Sequence, residues 1–484
     1  MSDQALLVLA LVPGFLAAFL CMFLKRSPGV ARWVTLVALG ISAACLGILV
    51  LKAQSGTISV VYPWIPIWNI TFGLKVDAFS GFVGATVALI GFIDLIYSFG
   101  YVGPEEAKSS FFGWMALFVA AMIGVVMATD LIQFYFLWEL MLIPSTALIV
   151  YWGTGTNPEA TGFKYFIITH VGAVMILISF LWMMIIAGTT DLGLLSERLG
   201  TVSPGTLKAM ASLLAAGFGV KMAIVPFHVW LPDAHSEAPL PVSVMLSAVM
   251  MDMGIYGMLR FLFTIFPSEV LASLSVPIMV FGVISQWYGG IEALGQTQMK
   301  RVAAYSTISQ MGYVLFGIGT MEFSGISGAI FHILNHGLAK ALLFMTIGCV
   351  IHMTGAHDLD ETGGLAKKMP ASALFGIVAA FALAGAPPLG AFQSEWRIFA
   401  GGFEAGRLAL TVIAVLCSVL TAYYVLRLII KVFFGPWIHD KEVREAPFSM
   451  LGAMAILGLL SLVIGVFPGP FSNMIESAAR VLGL

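Results

Sequence analysis

The chain has 484 residues, of which 60% are hydrophobic and only 10% are charged. Soluble domains carry about 25% charged residues, so this composition excludes a soluble globular protein and predicts a polytopic membrane protein. The net charge of -2 gives no sign of nucleic-acid binding.

Apolar stretches that are long enough to cross a bilayer recur along the whole sequence. A span needs about 20 mostly apolar residues, and about fourteen stretches fit this length. The predicted spans are 5–24, 31–51, 77–101, 110–128, 130–152, 164–187, 205–239, 241–265, 271–295, 302–320, 324–353, 371–404, 409–434 and 448–468. Between the second and third spans, the Val, Ile, Thr, Tyr and Trp content of Ser55–Leu74 predicts a short hairpin on the membrane face.

Two of the predicted spans, 205–239 and 371–404, are too long for a straight crossing and contain helix breakers. Proline removes a backbone hydrogen bond, and in lipid the freed carbonyls must be satisfied by protein or water. Broken helices at corresponding places suggest an inverted repeat with a site at its interface, and proline kinks without a transport role are the alternative. The breakers are Pro226, Pro232 and Pro239 in the first stretch and Gly385, Pro387, Pro388 and Gly390 in the second.

Ionisable residues interrupt several spans. A charge at membrane depth costs about 2.5–3.5 kcal/mol on insertion scales, so such residues are usually buried and tied to transport. A succession of them over several spans predicts a route for protons or cations. The candidates are Glu139, Lys221, Asp252, His332, His336, Lys340 and Glu395.

Glu139 and Lys221 are predicted to form a switchable pair, because an opposite charge nearby keeps a buried group ionised. We expect the two side chains to lie within a salt bridge or one water of each other. A static salt bridge that orders two helices is the alternative interpretation.

His332, His336 and Lys340 are spaced four residues apart and therefore share one helical face. Histidine titrates near neutrality and suits a proton relay, and a hydrogen-bonded structural histidine is the alternative. Two histidines at this spacing are a possible metal site, but the neighbouring lysine disfavours a cation, so no metal is predicted.

Other polar residues leave more than one interpretation open. His228, Asp233, His235 and Glu237 form either a rim that admits protons or a solvated loop, and His170 is either a relay member or a satisfied core residue. The four cysteines share no CxxC spacing, and no phosphate- or dinucleotide-binding motif is present, so no cofactor is predicted.

Lysine and arginine in short loops predict the orientation. Cytoplasmic loops carry an excess of these residues, and the side of the membrane that holds the first loop has more of them than the opposite side. The first-loop side is therefore predicted to be cytoplasmic, and both termini are predicted to face away from the cytoplasm of a prokaryotic cell. The residues on the first-loop side are Lys25, Arg26, Arg32, Lys108, Lys164, Lys300, Arg301, Lys367, Lys368, Lys431, Lys441 and Arg444.

Four motifs, over roughly residues 60–435, closely resemble one family: FYFLWELMLIP, VKMAIVPFHVWLPDAHSEAP, QMKRVAAYSTISQMGY and HILNHGLAKALLF. They are similar to the antiporter-like subunits of respiratory complex I, including its M (chain 4) subunit. They also resemble membrane subunits of group 4 hydrogenases and the A-type and D-type subunits of multisubunit cation/proton antiporters. The resemblance implies fourteen helices with two inverted five-helix repeats, each holding a discontinuous helix. The corresponding division is 1–109, 110–265, 271–435 and 436–484.

The resemblance also implies roles for the candidate residues. Glu139 and Lys221 correspond to the carboxylate–lysine pair of the family, the residues of the HILNHGLAK motif to its helix-eleven polar residues, and Glu395 to the ionisable residue of its second broken helix. Asp252 departs from the pattern, because the family normally has lysine or histidine there. A basic partner, either Lys340 or a histidine of the same motif, is expected beside it.

The resemblance predicts a subunit that translocates protons or sodium ions in a complex I-like redox pump, with other membrane subunits as partners and no redox centre of its own. Two alternatives stand beside it. One is a D-type subunit of a multisubunit Na⁺/H⁺ antiporter without redox coupling. The other is a scaffold that has lost conduction, which the aspartate at position 252 motivates.

Overall fold

The computed structural model describes residues 2–24, 27–68, 70–103, 108–438 and 442–484. Within these residues, eleven helices are long and apolar enough to cross a membrane. The predicted all-α polytopic fold is therefore confirmed. Lys25, Arg26 and Lys441, which entered the orientation argument, lie outside the described residues.

The N-terminal part consists of long helices and one hairpin. Gln133 fixes the hairpin to the bundle, because its side-chain amide accepts a hydrogen bond from Gly73 N at 3.0 Å and donates one to Gly73 O at 2.7 Å. The hairpin predicted over 55–74 is thus confirmed, as an antiparallel pair. The elements are α1 (Asp3–Phe23), α2 (Pro28–Lys52), β1 (Ile58–Ile65), β2 (Ile70–Val76) and α3 (Ala78–Tyr101).

The next part of the chain contains the first broken helix. The predicted stretch 205–239 is helical up to Lys221, irregular over 222–226, and helical again after a 3-10 turn, Phe227–Trp230. A π-helical turn, Leu246–Met250, joins the two helices that follow. The helices are α4 (Ser109–Met127), α5 (Leu131–Trp152), α6 (Pro158–Ala187), α7 (Leu195–Leu199), α8 (Pro204–Lys221), α9 (Leu231–Glu237), α10 (Leu240–Met245) and α11 (Met251–Ile265).

The last part contains the second broken helix. The predicted stretch 371–404 is interrupted over 384–389, where Gly385 takes a left-handed φ of 64° that favours glycine. The helices are α12 (Ser268–Gly295), α13 (Met299–Gly319), α14 (Phe323–Thr354), α15 (Pro370–Leu383), α16 (Gly390–Glu404), α17 (Leu408–Phe433), α18 (Phe448–Val466) and α19 (Gly469–Val481).

Helix α14 is the centre of the bundle. Every residue from Gly325 to Ile351 is buried, and the helix packs against α3, α10, α13, α15, α16, α18 and α19. Beside it, α12 and α13 approach closely at glycines. A Cβ atom built on Gly282 would lie 2.6 Å from Phe316 N, and one built on Gly312 would lie 2.5 Å from Gln286 N. Small residues that let helices approach are typical of membrane bundles.

Two features differ from the predicted spans. Eleven of the fourteen predicted spans correspond to the long apolar helices, and the other three correspond to α8–α9, to α13 and to α15–α16. Whether these three cross the bilayer stays a prediction, as do the two inverted repeats. In addition, α19 was not predicted, because it is short and strongly amphipathic. It buries Ile475, Ala478 and Ala479 and packs against α3 and α14.

Candidate functional site

Lys221 is the last residue of α8, and its side chain is buried at the first helix break. The helix ends here because Ala223 adopts a left-handed φ of 51° and Pro226 has no amide hydrogen to continue the hydrogen bonding. Trp230 Nε1 donates to Val220 O at 3.1 Å, a carbonyl that also accepts from Ala223 N at 3.1 Å, so the end of the helix is held by two donors. A cation at a helix C-terminus is stabilised by the helix dipole.

The ammonium group of Lys221 faces aromatic rings. Its Nζ atom lies 5.7 Å from the ring centroid of Trp138 and 6.0 Å from that of Tyr165. Within the described part of the chain it forms no hydrogen bond and no ion pair. The lysine is therefore held by cation–π contacts and is free of a fixed carboxylate partner.

Glu139 is bound to His170 and not to Lys221. Its Oε2 atom lies 2.9 Å from His170 Nδ1, while Oε1 is buried without a hydrogen-bond partner among the described residues. The expected direct Glu139–Lys221 salt bridge is thus absent from the described residues, because the neighbouring helix α6 supplies a nearer partner. The water-mediated form stays a prediction. The sequence left the role of His170 open, and in the structure His170 is the polar partner of Glu139.

Asp252 lies one residue after the start of α11 and is fully buried. Neither of its carboxylate oxygens has a hydrogen-bond partner among the residues that the structure describes, and the same holds for both ring nitrogens of His336. The closest approach is 3.9 Å, from His336 Nδ1 to Asp252 Oδ1. That distance is too long for a hydrogen bond but permits an ion pair when the histidine is protonated. The expected basic neighbour is therefore a histidine.

Lys340 turns away from Asp252. Its Nζ atom donates to Ala303 O at 3.0 Å and to the Ser306 hydroxyl, both on α13. His332 is fixed in the same dense region, with Nδ1 2.9 Å from Ser394 Oγ and Nε2 2.8 Å from Gln310 Oε1.

Glu395 lies in the first turns of α16, beside the second helix break. Its carboxylate covers Gly385, so closely that a Cβ atom at that position would clash with Oε2. Glycine is favoured here by its left-handed backbone conformation, and its lack of a side chain gives the carboxylate room to lie close. Glu395 Oε1 is buried without a hydrogen-bond partner in the described ranges. Both predicted breaks thus carry an ionisable residue beside them.

The interior contains polar residues that sequence reasoning did not select. Gln310 and Ser394 bind His332. The only early signal was their position, Gln310 inside the motif QMKRVAAYSTISQMGY and Ser394 next to Glu395. Asp94 of α3 is fully buried, and both of its oxygens are without partners in the part of the chain that the structure describes. It was detectable as the only acid inside its predicted span away from the span's first residue, Asp77.

A bundle of apolar helices with two interior breaks and a set of buried ionisable side chains defines a membrane protein whose interior can carry ions. A comparison with protein families matches residues 128–421 to the family described as NADH:quinone oxidoreductase/Mrp antiporter, TM. The chain belongs to this family. The predicted resemblance to antiporter-like subunits is confirmed.

Individual relatives cover most of the chain. It is 33% identical to NAD(P)H-quinone oxidoreductase chain 4 2 of Thermosynechococcus vestitus over 90% of this chain and 83% of that protein. It is 32% identical to the A-type subunit of the Na(+)/H(+) antiporter of Alkalihalophilus pseudofirmus over 98% of this chain. The chain spans only 62% of the length of that antiporter protein. Among solved structures, the Mrp complex from Dietzia sp. contains a chain with a TM-score of 0.90 and 21% identity, covering 100% of this chain and 98% of that chain.

Proposed function

We propose that the chain is an ion-translocating subunit of a redox-driven membrane pump that resembles complex I, with protons or sodium ions as the ion. One observation carries the proposal. Ionisable side chains that are expensive to bury lie at most 6% exposed in the interior of an apolar bundle, on its central helix α14 and on three other helices, α8, α11 and α16. They are Lys221, Asp252, His332, His336, Lys340 and Glu395.

The proposed route connects the two helix breaks. It leads from Glu139 and His170 at the periphery to Lys221, on to Asp252 and His336, and through His332 to Glu395. His332 and His336 stack with ring centroids 5.7 Å apart, so the side chains in the middle of the route are in contact with each other. Ions or water are required between Lys221 and Asp252, which no direct contact joins in the described residues.

In the proposal, the central positive charge of the route lies on His336 of α14, because position 252 of α11 holds an aspartate. The family normally has a lysine or histidine at this position, and a carboxylate there needs a basic partner to remain ionised in a dry interior. His336 is that partner in the proposal, since it approaches to 3.9 Å and its ring nitrogens have no hydrogen bond in the described ranges. A protonated His336 beside an ionised Asp252 would then take the place of the lysine.

Lys221→Ala tests the proposal in membrane vesicles that contain the whole native complex. Removing the cation at the first break is expected to lower ion transport by about tenfold or more while the complex still assembles. Lys208→Ala is the matched control, because Lys208 lies on the same helix and is exposed. Full transport by Lys221→Ala would reduce the lysine to a structural role and refute the proposed route.

A second function is supported by the match to the A-type antiporter protein over nearly the whole chain: exchange of sodium for protons without a redox partner. Affinity purification of the tagged chain separates the two functions. Oxidoreductase or hydrogenase subunits in the purified complex, with pH gradients formed on adding an electron donor, support the redox pump. A complex without redox subunits, whose pH gradients depend on an imposed sodium gradient, supports the antiporter.

Two finer assignments belong to the same proposal. The units 110–265 and 271–435 are inverted repeats that each contain one broken helix, with 1–109 and 436–484 outside them. Both termini face away from the cytoplasm of a prokaryotic cell. A protease-accessible tag at either terminus, cleaved only from the outer side of intact cells, is the expected result.

A further inference from the structure

A cavity of about 500 Å³ opens beside the hairpin. Thr57, Ser59 and Gly193 form its exposed rim. Tyr256 and Arg260 of α11 form its buried floor. The cavity is large enough for many water molecules.

The floor of the cavity is closed by a buried ion pair. Arg260 Nη2 lies 2.8 Å from Asp77 Oδ1, and Arg260 Nε donates to the Tyr256 hydroxyl at 3.2 Å. Tyr256 in turn donates to Val126 O at 2.9 Å. Asp77 Oδ2 lies 3.7 Å from Lys75 Nζ and is buried without a hydrogen-bond partner among the described residues.

The ion pair keeps its charges although it is buried. Burial by itself raises the pKa of Asp77, but the Arg260 guanidinium and the hydrogen bonds that Asp77 accepts outweigh it, and the pKa lies well below its usual range. The cavity therefore ends at a fixed charge pair and not at an apolar plug.

One polar stripe of α11 connects this cavity with the centre of the bundle. Thr264, Arg260, Tyr256 and Asp252 are spaced four residues apart, so each lies one turn from the next and about 40° around the helix from it. The first three line the cavity, and Asp252 is the next in the row. The axial distance from Tyr256 to Asp252 is about 6 Å, which one water molecule can bridge.

We propose that the hairpin-side cavity is the aqueous access chamber through which Asp252 exchanges protons or sodium ions with the solution, with Arg260, Asp77 and Tyr256 as its gate. This inference rests on the proposed function and adds to it the point where ions enter or leave. When the Arg260–Tyr256 contact opens, water from the cavity reaches Asp252. When the contact closes, Asp252 communicates only with His336 and the interior.

Cysteine modification tests the access chamber in vesicles of the assembled complex. Thr264→Cys and Thr129→Cys place thiols on two walls of the cavity, and the four native cysteines are buried. A membrane-impermeant, positively charged methanethiosulfonate reagent is added from the hairpin side. Both thiols are expected to react, and modification is expected to abolish most of the ion transport. Gln4→Cys is the control, because Gln4 is exposed at the start of α1, next to the Asp3–Lys52 ion pair near the hairpin.

Two results would overturn the inference. One is that neither cavity thiol reacts although Gln4→Cys does. The other is that both react while transport keeps its full rate. Tyr256→Phe adds a test without modification, since it keeps the ring but removes the hydroxyl, and a several-fold slower transport with normal assembly is expected. The cavity variants test only the access chamber, and Lys221→Ala tests only the translocation route. Either proposal can therefore be refuted without the other.

Discussion

The polar contacts of the interior divide the ionisable residues into fixed and unfixed groups. His332 and Lys340 are held by two hydrogen bonds each, while Asp252, His336 and Lys221 have none in the part of the chain that the structure describes. Buried polar groups are normally paired, so unpaired ones mark places where water, an ion or a second conformation is needed. The unfixed groups are therefore the ones we expect to change protonation or partner during transport.

Asp252→Lys is expected to impair transport and not to restore it. A lysine at this fully buried position would face the imidazole of His336, and the two positive charges cannot both be stabilised. We expect a loss of about tenfold or more in the pH gradient formed by vesicles. Normal pumping by Asp252→Lys would show that the proposed compensation by His336 is wrong. Asp252→Asn is the companion variant, since it keeps the volume and removes only the charge.

The Asp77–Arg260 pair gives a prediction on stability and pH. Because the pKa of Asp77 in the folded protein lies below its unfolded value, the pair stabilises the fold above the unfolded pKa of about 4 and loses this effect as the pH falls. Asp77→Asn leaves the arginine buried and unpaired and is expected to cost about 3–5 kcal/mol at neutral pH. The measurement is the melting temperature of the purified complex at pH 7 and at about pH 2, because the pair loses most of its effect only well below the unfolded pKa, as the pH approaches the lowered pKa of the folded protein. The difference between wild type and variant should shrink at the lower pH, and a constant difference would contradict it.

Glycines and helix-breaking residues determine the arrangement of the helices together with the apolar side chains. The α12–α13 contact is a backbone-to-backbone approach, and the second break depends on one glycine that serves both the chain and the Glu395 carboxylate. The α12–α13 contact leaves no room for a methyl group, because its nearest neighbours are main-chain atoms that cannot rotate away, whereas at Gly385 the left-handed backbone favours glycine.

Gly282→Ala and Gly312→Ala are expected to destabilise the bundle. Each added Cβ atom would overlap backbone atoms of the facing helix, and overpacking of this kind costs about 1–3 kcal/mol. The amount of assembled complex in the membrane and its melting temperature are the measurements. Gly47→Ala in α2 is the control, since nothing lies within 4 Å of a Cβ atom built there. Equal behaviour of all three variants would refute the close-packing argument.

One face of the molecule, on α5 and α6, exposes ionisable side chains that would be costly to place in contact with lipid. The side chains of Glu139 and His170 are 24% and 44% exposed, on a side of α5 and α6 that also carries exposed apolar residues such as Ile167 and Ile178. An ionisable pair in contact with acyl chains is costly, so this face is expected to be covered by another membrane subunit.

Cross-linking checks this expectation. Ile178→Cys is expected to form a thiol-specific cross-link to a second subunit in the native membrane, because it lies on the same helix as His170 and is 48% exposed. Val37→Cys on α2 is 61% exposed and serves as the comparison position for a surface outside this face. A cross-link at Val37 but not at Ile178 would place the partner elsewhere and leave the Glu139–His170 pair facing lipid.

The sequence by itself determined the membrane class, the hairpin, both helix breaks and the buried ionisable residues. These follow from local rules, since apolar length, proline and glycine act on the chain within a few residues of themselves. Only the tertiary structure decided which side chains meet. Glu139 contacts His170 and not Lys221, and Asp252 faces His336 and not Lys340. Asp94, which was not among the predicted site residues, is also buried in the interior. Partner choice depends on the rotation and depth of helices that lie far apart in sequence, and packing sets both.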